Sequence, residues 1–318
     1  MQQPPPSSAG APEISVVVPV YRNNATLEAL VSRLGEVFAT ESFELVLVVD
    51  GCPDGGLELL QGMVPGRPYL RVVELARNYG QHAALCAGFE VARGKVILIL
   101  DADLQQAPHD LPAFVEAWRG GAEFISGWRN SREDATSRRL GSWAMNQLVR
   151  YVTRVPLRDW GCPMAAVDRR IIDQVKYAGE QRRFLKPLVA RLSRSWEEIE
   201  IKGHAREGKS SYSLFSLIGL ALDFVVSFTT RPFQRLTGGG LALFTAGIMT
   251  GLAYVVLRLA GLISDSPPVQ AIVVIALLVG MQAIILGMLG EYTHRIYRMV
   301  QGQPFFEVRE VHSESGDA

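Results

Sequence analysis

The sequence predicts an α/β domain built on a mostly parallel sheet, followed by interfacial helices and a two-helix transmembrane hairpin. Two observations predict it. From Ile14 to about Gly127, short β-branched runs alternate with helical patterns, the rhythm of parallel strands covered by helices. Beyond Tyr212 the chain changes character and contains two uncharged runs, each longer than the roughly 20 residues that cross a bilayer core as a helix.

Taken in order, residues 1–13 are rich in Gln, Pro, Ser and Gly, with no basic start and no apolar stretch. They read as a disordered tail rather than a signal peptide. The catalytic-type domain is expected over 14–211. Its runs are ISVVV, the helical ATLEALVSRLGEVF, then FELVLVV, LRVVEL, the helical AALCAGFEVA, and VILIL. Ligands of such sheets collect beyond the carboxyl ends of the strands. That singles out Tyr21 to Asn24, Asp50 to Asp54, Arg77 to Gln81 and Asp101 to Gln105, four loops on one edge. A basic helical segment, Ser137 to Arg154, follows, and the alternating WEEIEI suits a further strand.

Residues 212–231 are expected to form an interfacial amphipathic helix. Leu214 to Phe228 is long enough to span, but Asp223 in its middle would be costly in lipid. A hairpin is expected over 232–298, with spans at about 236–257 and 266–290. Burial of these runs inside a large soluble protein is the alternative, and their close spacing favours a hairpin in lipid. Arg231 and Arg235 precede the first run and Arg295 and Arg298 follow the second, while the connection carries only Arg258 and Asp265. The positive-inside bias puts both ends, the domain and a C-terminal tail of residues 299–318 in the cytoplasm. Gly247 and Gly251 form a GxxxG pair, a pattern that allows close helix contact and a possible homo-oligomer.

The formal charge balances to zero, so nothing points to nucleic acid. The basic residues nevertheless crowd between Arg129 and Arg235. Cys52, Cys86 and Cys162 are odd in number and lack CxxC spacing, and the five histidines show no ligand spacing. Neither a disulfide framework nor a zinc site is suggested, and a reducing, cytoplasmic setting fits.

Chemistry concentrates in DADLQ. Asp101 and Asp103, two apart just beyond a strand, can aim two carboxylates at one ion, with Gln105 as a third oxygen donor. Oxygen ligands suit a hard cation, Mg2+ or Mn2+. Such an ion neutralises the charge that builds on a departing diphosphate. The same spacing also serves turns and caps at strand ends.

The sequence also carries PVY at Pro19 to Tyr21, ARNYGQHAALCAGFE at Ala76 to Glu90, DADLQ, an RR…S…N segment from Arg138 to Asn146, DWGC at Asp159 to Cys162, and LGEYTHRIY closing the second apolar run. Together these resemble the family-2 polyprenyl-phosphate glycosyltransferases, and among them most nearly the undecaprenyl-phosphate aminoarabinose transferases. The resemblance spans Ile14 to Tyr297. It implies a GT-A fold that moves a sugar, with inversion, from a UDP or GDP sugar to a polyprenyl phosphate, in the bacterial inner membrane. It further implies that Pro19, Tyr21, Asp50, Arg77, Asn78 and Gln81 border the nucleotide, joined by Asp101, Ala102 and Asp103. The acceptor phosphate would meet Arg129, Arg138, Ser142, Asn146 and Lys209. Asp101, Asp103, Arg138 and Asp159 would carry catalysis, and Asp101, Asp103 and Gln105 the metal. Each has a plainer reading: Pro19 ends a strand, Asn78 with Gly80 makes a turn, Arg138 decorates a solvated helix, and Asp159 forms a turn.

The sequence departs from the family pattern in three places. The frequent DDGS is Val49, Asp50, Gly51, Cys52; YNE is Tyr21, Arg22, Asn23; and in EGKSSY the usual lysine position holds Ser211, with Lys209 nearby. Two other functions share this frame. A processive polysaccharide synthase needs a QxxRW-like motif, which QRRF at Gln181 to Phe184 does not supply, and a pore that two spans cannot line. A non-catalytic, membrane-bound nucleotide-sugar-binding protein would keep the pocket without the transfer.

Overall fold

The structure is a computed structural model and describes residues 11–129, 146–201, 224, 228, 231–300 and 305–314. The chain forms two compact units, Met1–Ala221 with Gln303–Ala318, and Leu222–Gly302.

The first unit is organised by one sheet with the strand order β7-β5-β6-β4-β1-β2-β3-β8. Its strands are β1 (Ile14–Val20), β2 (Phe43–Val49), β3 (Leu70–Leu75), β4 (Val96–Ile99), β5 (Phe124–Arg129), β6 (Ala165–Asp168), β7 (Trp196–Ile201) and β8 (Val308–Ser313). β1 to β4 are parallel, β6 runs antiparallel to β4 and β5, and β5 is parallel to β7. β2 and β4 are buried along their whole length, which is why they read as unbroken apolar runs rather than alternating ones. Val20 pairs with Val49, so β1 and β2 end at one level, and β4 ends just before it, with Ile99 opposite Val17. The residues that follow, Tyr21, Asp50 and Asp101, therefore emerge on one edge.

The helices fit around this frame. α1 (Asn24–Val37) buries Leu27, Leu30, Val31 and Leu34, the 3,4-spaced stripe of an amphipathic helix. α2 (Gly56–Met63) follows β2, and α3 (Gln81–Val91) is buried from Ala83 to Phe89. A Cβ on Gly88 would stand 2.3 Å from Val17 Cγ1 and 3.0 Å from Val48 Cγ2, so α3 lies directly on β1 and β2 only because this residue lacks a side chain. Gly88→Ala is expected to cost about 1–3 kcal/mol by overpacking, read as a lowered thermal unfolding midpoint.

α4 (Leu111–Arg119), a helix at 146–153 (α5), α6 (Arg169–Val175) and α7 (Leu185–Leu192) complete the first unit. Asp168, the last residue of β6, ties two of these helices to the sheet. Its carboxylate caps α6 by accepting from the Arg170 N–H at 2.9 Å, accepts from Trp118 Nε1 at 3.0 Å, and pairs with the Arg170 guanidinium at 2.8 Å. Burial pushes its pKa up, but the bonds from Arg170 and Trp118 outweigh it and hold the carboxyl below its ordinary 3.8. A depressed carboxylate contributes stability that is present above the unfolded pKa and lost as pH falls through the folded one. Wild-type stability is therefore expected to drop below about pH 4, more steeply than that of Asp168→Asn, as measured by urea titration across that range.

Within residues 299–318, expected as a tail, a described segment instead returns to the sheet. Val308–Ser313 pairs antiparallel with β3, Val72 opposite His312, and Arg309 reaches Glu74 at 2.9 Å. The strand covers the edge that β3 would otherwise expose, a position where an unpaired strand invites association.

The second unit is a helical hairpin of α8 (Arg231–Leu259) and α9 (Pro267–Val300). The stretches Gln234–Leu259 and Pro267–His294 have mean hydropathies of 1.9 and 2.7, and only 11% of each apolar window is buried. At 1.5 Å per residue both exceed a bilayer core of about 30 Å, and helices this apolar and this uncovered are not core helices of a soluble fold. A Cβ on Gly240 would stand 2.8 Å from the Gly280 carbonyl oxygen, and one on Gly247 or Gly251 would stand 3.0 Å from Leu277 or Val273. The GxxxG pair thus packs within the hairpin, which removes the observation that suggested a homo-oligomer. At the turn, Arg258 pairs with Asp265, which also accepts from Tyr254 Oη at 3.0 Å. Of the expected interfacial helix, Phe224 and Phe228 are helical, buried and stacked with centroids 4.8 Å apart; the remainder up to 230 lies outside the described residues.

Candidate active site

β4 delivers Asp101 to the carboxyl edge, and the loop behind it is held by backbone-directed bonds. The Thr26 hydroxyl donates to the Ala102 carbonyl at 2.6 Å, fixing the loop to α1. Asp103 accepts from the Gln105 N–H at 3.0 Å, and Leu104 between them takes a φ of 56°. This local turn presents Asp101, Asp103 and Gln105, all half-buried, on one short loop. Gln81 at the start of α3 donates from Nε2 to Asp101 Oδ1 at 2.8 Å. Two carboxylates and an amide form an all-oxygen donor set, and the chemistry of that set fits a divalent hard cation.

The neighbouring loops are joined through Asp50. It is buried, and its two carboxylate oxygens accept from the Tyr79 and Gly80 N–H groups at 2.7 and 2.8 Å. It thereby braces the loop that carries Arg77, Asn78 and Gln81. Gly51 makes this possible. Its φ is +58°, and a Cβ would lie 2.4 Å from Asn78 N, so only glycine admits the two loops at this distance. Arg77 and Asn78 are exposed, Arg77 lies over the Tyr79 ring, and Tyr21 at the end of β1 is 40% exposed beneath Arg22. Pro19 is half-buried within β1.

On the other side of Asp101 lies a cavity of about 210 Å³ that brings Gln81, Asp101, Gln105 and Arg129 together with Trp160, Gly161 and Cys162. Arg129, the last residue of β5, donates from Nε to Asp159 Oδ2 at 2.9 Å, and the pair is 21% and 5% exposed. Asp159 Oδ1 also accepts from the Gly161 N–H at 2.9 Å, forming the turn that places Trp160. Lys186, on α7, donates to the carbonyls of Asp159 and Cys162 at 2.8 and 2.9 Å. Enclosure of its ammonium pushes its pKa below the ordinary lysine value, against the opposing pull of Cys162 and Asp159. Burial pushes the Cys162 thiol up, so it is a packing group and not a thiolate nucleophile.

Of the residues singled out in the sequence, Gln81, Asp101, Gln105 and Arg129 line this cavity, and Asp159 supports it. Asp103 shares the acidic loop. Pro19, Tyr21, Asp50, Arg77 and Asn78 belong to the adjoining β1–β3 edge. Asn146 lies on α5 and is not among the residues that line the cavity. Arg138, Ser142 and Lys209 lie outside the described residues. Gln106, Trp160 and Lys186 also line it and were given no role from the sequence. Trp160 stands inside DWGC, Gln106 abuts DADLQ, and Lys186 is a lone cation in the otherwise apolar LKPLV. Among the described residues, the one cluster of three metal-ligating side chains is Glu74, Glu310 and His312, at the β3–β8 edge, away from this site.

Residues 15–177 match glycosyl transferase family 2. The chain is 36% identical over 307 residues to the undecaprenyl-phosphate 4-deoxy-4-formamido-L-arabinose transferase of Aeromonas hydrophila, covering 94% of this chain and 93% of that one. It is 37% identical over 308 residues to the protein of the same name from Pseudomonas paraeruginosa, covering 94% and 90%. Among solved structures, glucosyl-3-phosphoglycerate synthase from Mycobacterium tuberculosis in complex with phosphoglyceric acid aligns with a TM-score of 0.49 and 16% identity over 69% of this chain and 80% of that one. Sheet, strand-end acidic loop and matches together define a glycosyltransferase with a GT-A-like domain followed by two helices able to span a membrane. The chain belongs to glycosyl transferase family 2.

Proposed function

We propose that the chain transfers a sugar from a UDP-linked donor to undecaprenyl phosphate at the cytoplasmic face of a bacterial inner membrane. The observation that carries this is the juxtaposition, in one chain, of the Asp101–Asp103–Gln105 loop beside the Arg129–Asp159 cavity and a hairpin of membrane-spanning length. The relatives' names supply the lipid acceptor.

Asp101, Asp103 and Gln105 would hold Mg2+ or Mn2+, which when bound supplies positive charge to the diphosphate leaving group. The protein's own residues do the rest. Gln81 orients Asp101, and Asp50 with Gly51 fixes the loop whose Arg77 and Asn78 border the nucleotide, with Pro19 and Tyr21 on the β1 side. Arg129, held by its pair with Asp159, would meet the acceptor phosphate alongside Arg138, Ser142, Asn146 and Lys209. That acceptor is largely anionic near neutral pH, so positioning and charge stabilisation dominate and no protein base is required.

The pairing of β8 with β3 supports two crossings. A chain that leaves the domain before α8 and rejoins its sheet after α9 crosses an even number of times. The Arg258–Asp265 pair leaves the turn between the spans neutral, consistent with its being the translocated end.

The experiment is a transfer assay with the purified full chain, Mg2+, undecaprenyl phosphate and a panel of labelled UDP-sugars. Label is expected in the lipid fraction with at least one donor and is expected to vanish on chelation. No labelled lipid with any donor contradicts the proposal.

A further inference from the structure

The cavity beside the acidic loop encloses a positive charge that the protein itself does not balance. Lys186 lines it from α7, half-buried as a residue, with its ammonium enclosed. Among the described residues that ammonium has two partners, the carbonyls of Asp159 and Cys162 at 2.8 and 2.9 Å, and no carboxylate pairs with it. The carboxylates closest to the cavity are engaged elsewhere. Asp159 pairs with Arg129 at 2.9 Å, and Asp101 belongs to the candidate metal loop and accepts from Gln81. An enclosed lysine is nearly always paired, because taking an ammonium out of water costs several kcal/mol. Two backbone carbonyls would be served as well by a neutral donor, so the charge itself points to an anionic group that enters the cavity.

The same cavity holds a donor without a partner, the Trp160 Nε1–H, and an acceptor without one, Gln106 Oε1, both buried. We propose that the cavity is a subsite for a carboxylate carried by the donor sugar, as in a uronate, whose oxygens accept from the Lys186 ammonium and the Trp160 indole while a ring hydroxyl donates to Gln106 Oε1. The inference rests on the reading that the chain uses a nucleotide-sugar donor, and it names the class of sugar. The space suits a single sugar ring rather than a whole nucleotide sugar, since about 210 Å³ falls below the roughly 300–1,000 Å³ of pockets that enclose drug-sized ligands.

The alternatives fail on charge or on hydrogen-bond count. A cationic substituent would meet Lys186 and Arg129 against the apolar walls of Leu85, Leu185 and Val189, where like charges are little screened. A neutral substituent can accept from the two N–H groups but leaves the ammonium without a counter-charge. The acceptor's phosphate is anionic too, but all its oxygens accept, so it leaves Gln106 Oε1 unpaired, whereas a sugar brings hydroxyl donors beside its carboxylate. Enclosure holds the Lys186 pKa below the ordinary lysine value, and a carboxylate within contact distance favours the charged form again.

The test measures kcat/KM for matched donors with the full chain, Mg2+ and undecaprenyl phosphate. UDP-glucuronate is set against UDP-glucose and UDP-galacturonate against UDP-galactose, each pair exchanging a carboxylate for a hydroxymethyl, with a UDP-linked formamido pentose as a further neutral donor. The wild type is expected to favour one uronate over its neutral counterpart and over the formamido donor by at least about tenfold, as sites built to bind a group reject the analogue that lacks it. Lys186→Met is expected to bring that ratio to about one, chiefly through the KM of the uronate, and Lys186→Arg, which keeps the charge, to retain part of it. Trp160→Phe, which keeps the ring and loses the N–H, is expected to reduce the ratio about fivefold. A damaged fold lowers transfer from every donor alike, so the ratio isolates the contact. A wild type that uses a neutral donor as well as the uronates or better, or a ratio unchanged in Lys186→Met, overturns the subsite and leaves the lipid-phosphate transferase standing. So does an equal loss for every donor in Lys186→Met with a raised KM for undecaprenyl phosphate, which assigns the lysine to the acceptor. Transfer from no donor overturns both.

Discussion

Asp103→Asn is expected to lower sugar transfer about 100- to 1,000-fold, the loss typical of removing one group that stabilises leaving-group or oxyanion charge, with the unfolding midpoint unchanged. The reason is local. The Asp103 side chain makes one bond to the fold, accepting from the Gln105 N–H at 3.0 Å through Oδ1, and an asparagine oxygen accepts the same bond. The turn therefore survives, while the negative charge offered to a divalent cation is removed. Steady-state transfer at saturating Mg2+, set beside a thermal melt, separates the two. Asp103→Asn with full activity would detach the acidic loop from the chemistry. Loss of activity accompanied by a large drop in midpoint would make Asp103 a structural residue.

Arg129→Ala is expected to fail differently, losing both fold and function. Asp159 is 5% exposed at its side chain and takes its charge partner from Arg129 at 2.9 Å. Removing the cation takes from a buried carboxylate the guanidinium that pairs with it, and the nearby Lys186 has its ammonium already engaged by two carbonyls. Breaking a buried pair in this way costs about 3–5 kcal/mol, which for a domain of this size lowers the melting midpoint by roughly 6–20 °C. Because Asp159 also shapes the turn at Trp160 and Gly161, the cavity loses its wall and transfer falls with it. Arg129→Lys keeps the charge without the planar fork and should recover part of the stability but less of the activity.

What was legible in the sequence and what was not follows from the range of the contacts. β1, β2 and β4 are buried on both faces, so their apolar runs announce them, and strand-end polar residues are found by counting one step further. DADLQ is legible for the same reason: Asp101, Asp103 and Gln105 are neighbours in the chain as well as in space. β8 was not legible, since VREVHS is short and half charged and pairs with a strand more than two hundred residues earlier. Its place in the sheet comes from the edge that β3 offers, not from its own composition. Arg129 and Asp159 were each singled out, but not as a pair, because a pairing across thirty residues leaves no local pattern. Lys186 and Gln106 are the clearest cases. Their roles depend on what encloses them, the Asp159–Cys162 turn for the lysine and the cavity for the glutamine. The bracing role of Asp50 was not legible either, because its partners, the N–H groups of Tyr79 and Gly80, lie some thirty residues further along the chain.

The most direct measurement of the central claim is electron paramagnetic resonance of Mn2+ titrated with the full chain in the presence and absence of UDP. The account predicts that the free-ion signal is depleted by wild-type protein with UDP present, with about one ion bound per chain as a single loop of oxygen ligands would hold, and that Asp103→Asn leaves most of the ion free. Equal Mn2+ binding by wild type and Asp103→Asn with UDP present would contradict it.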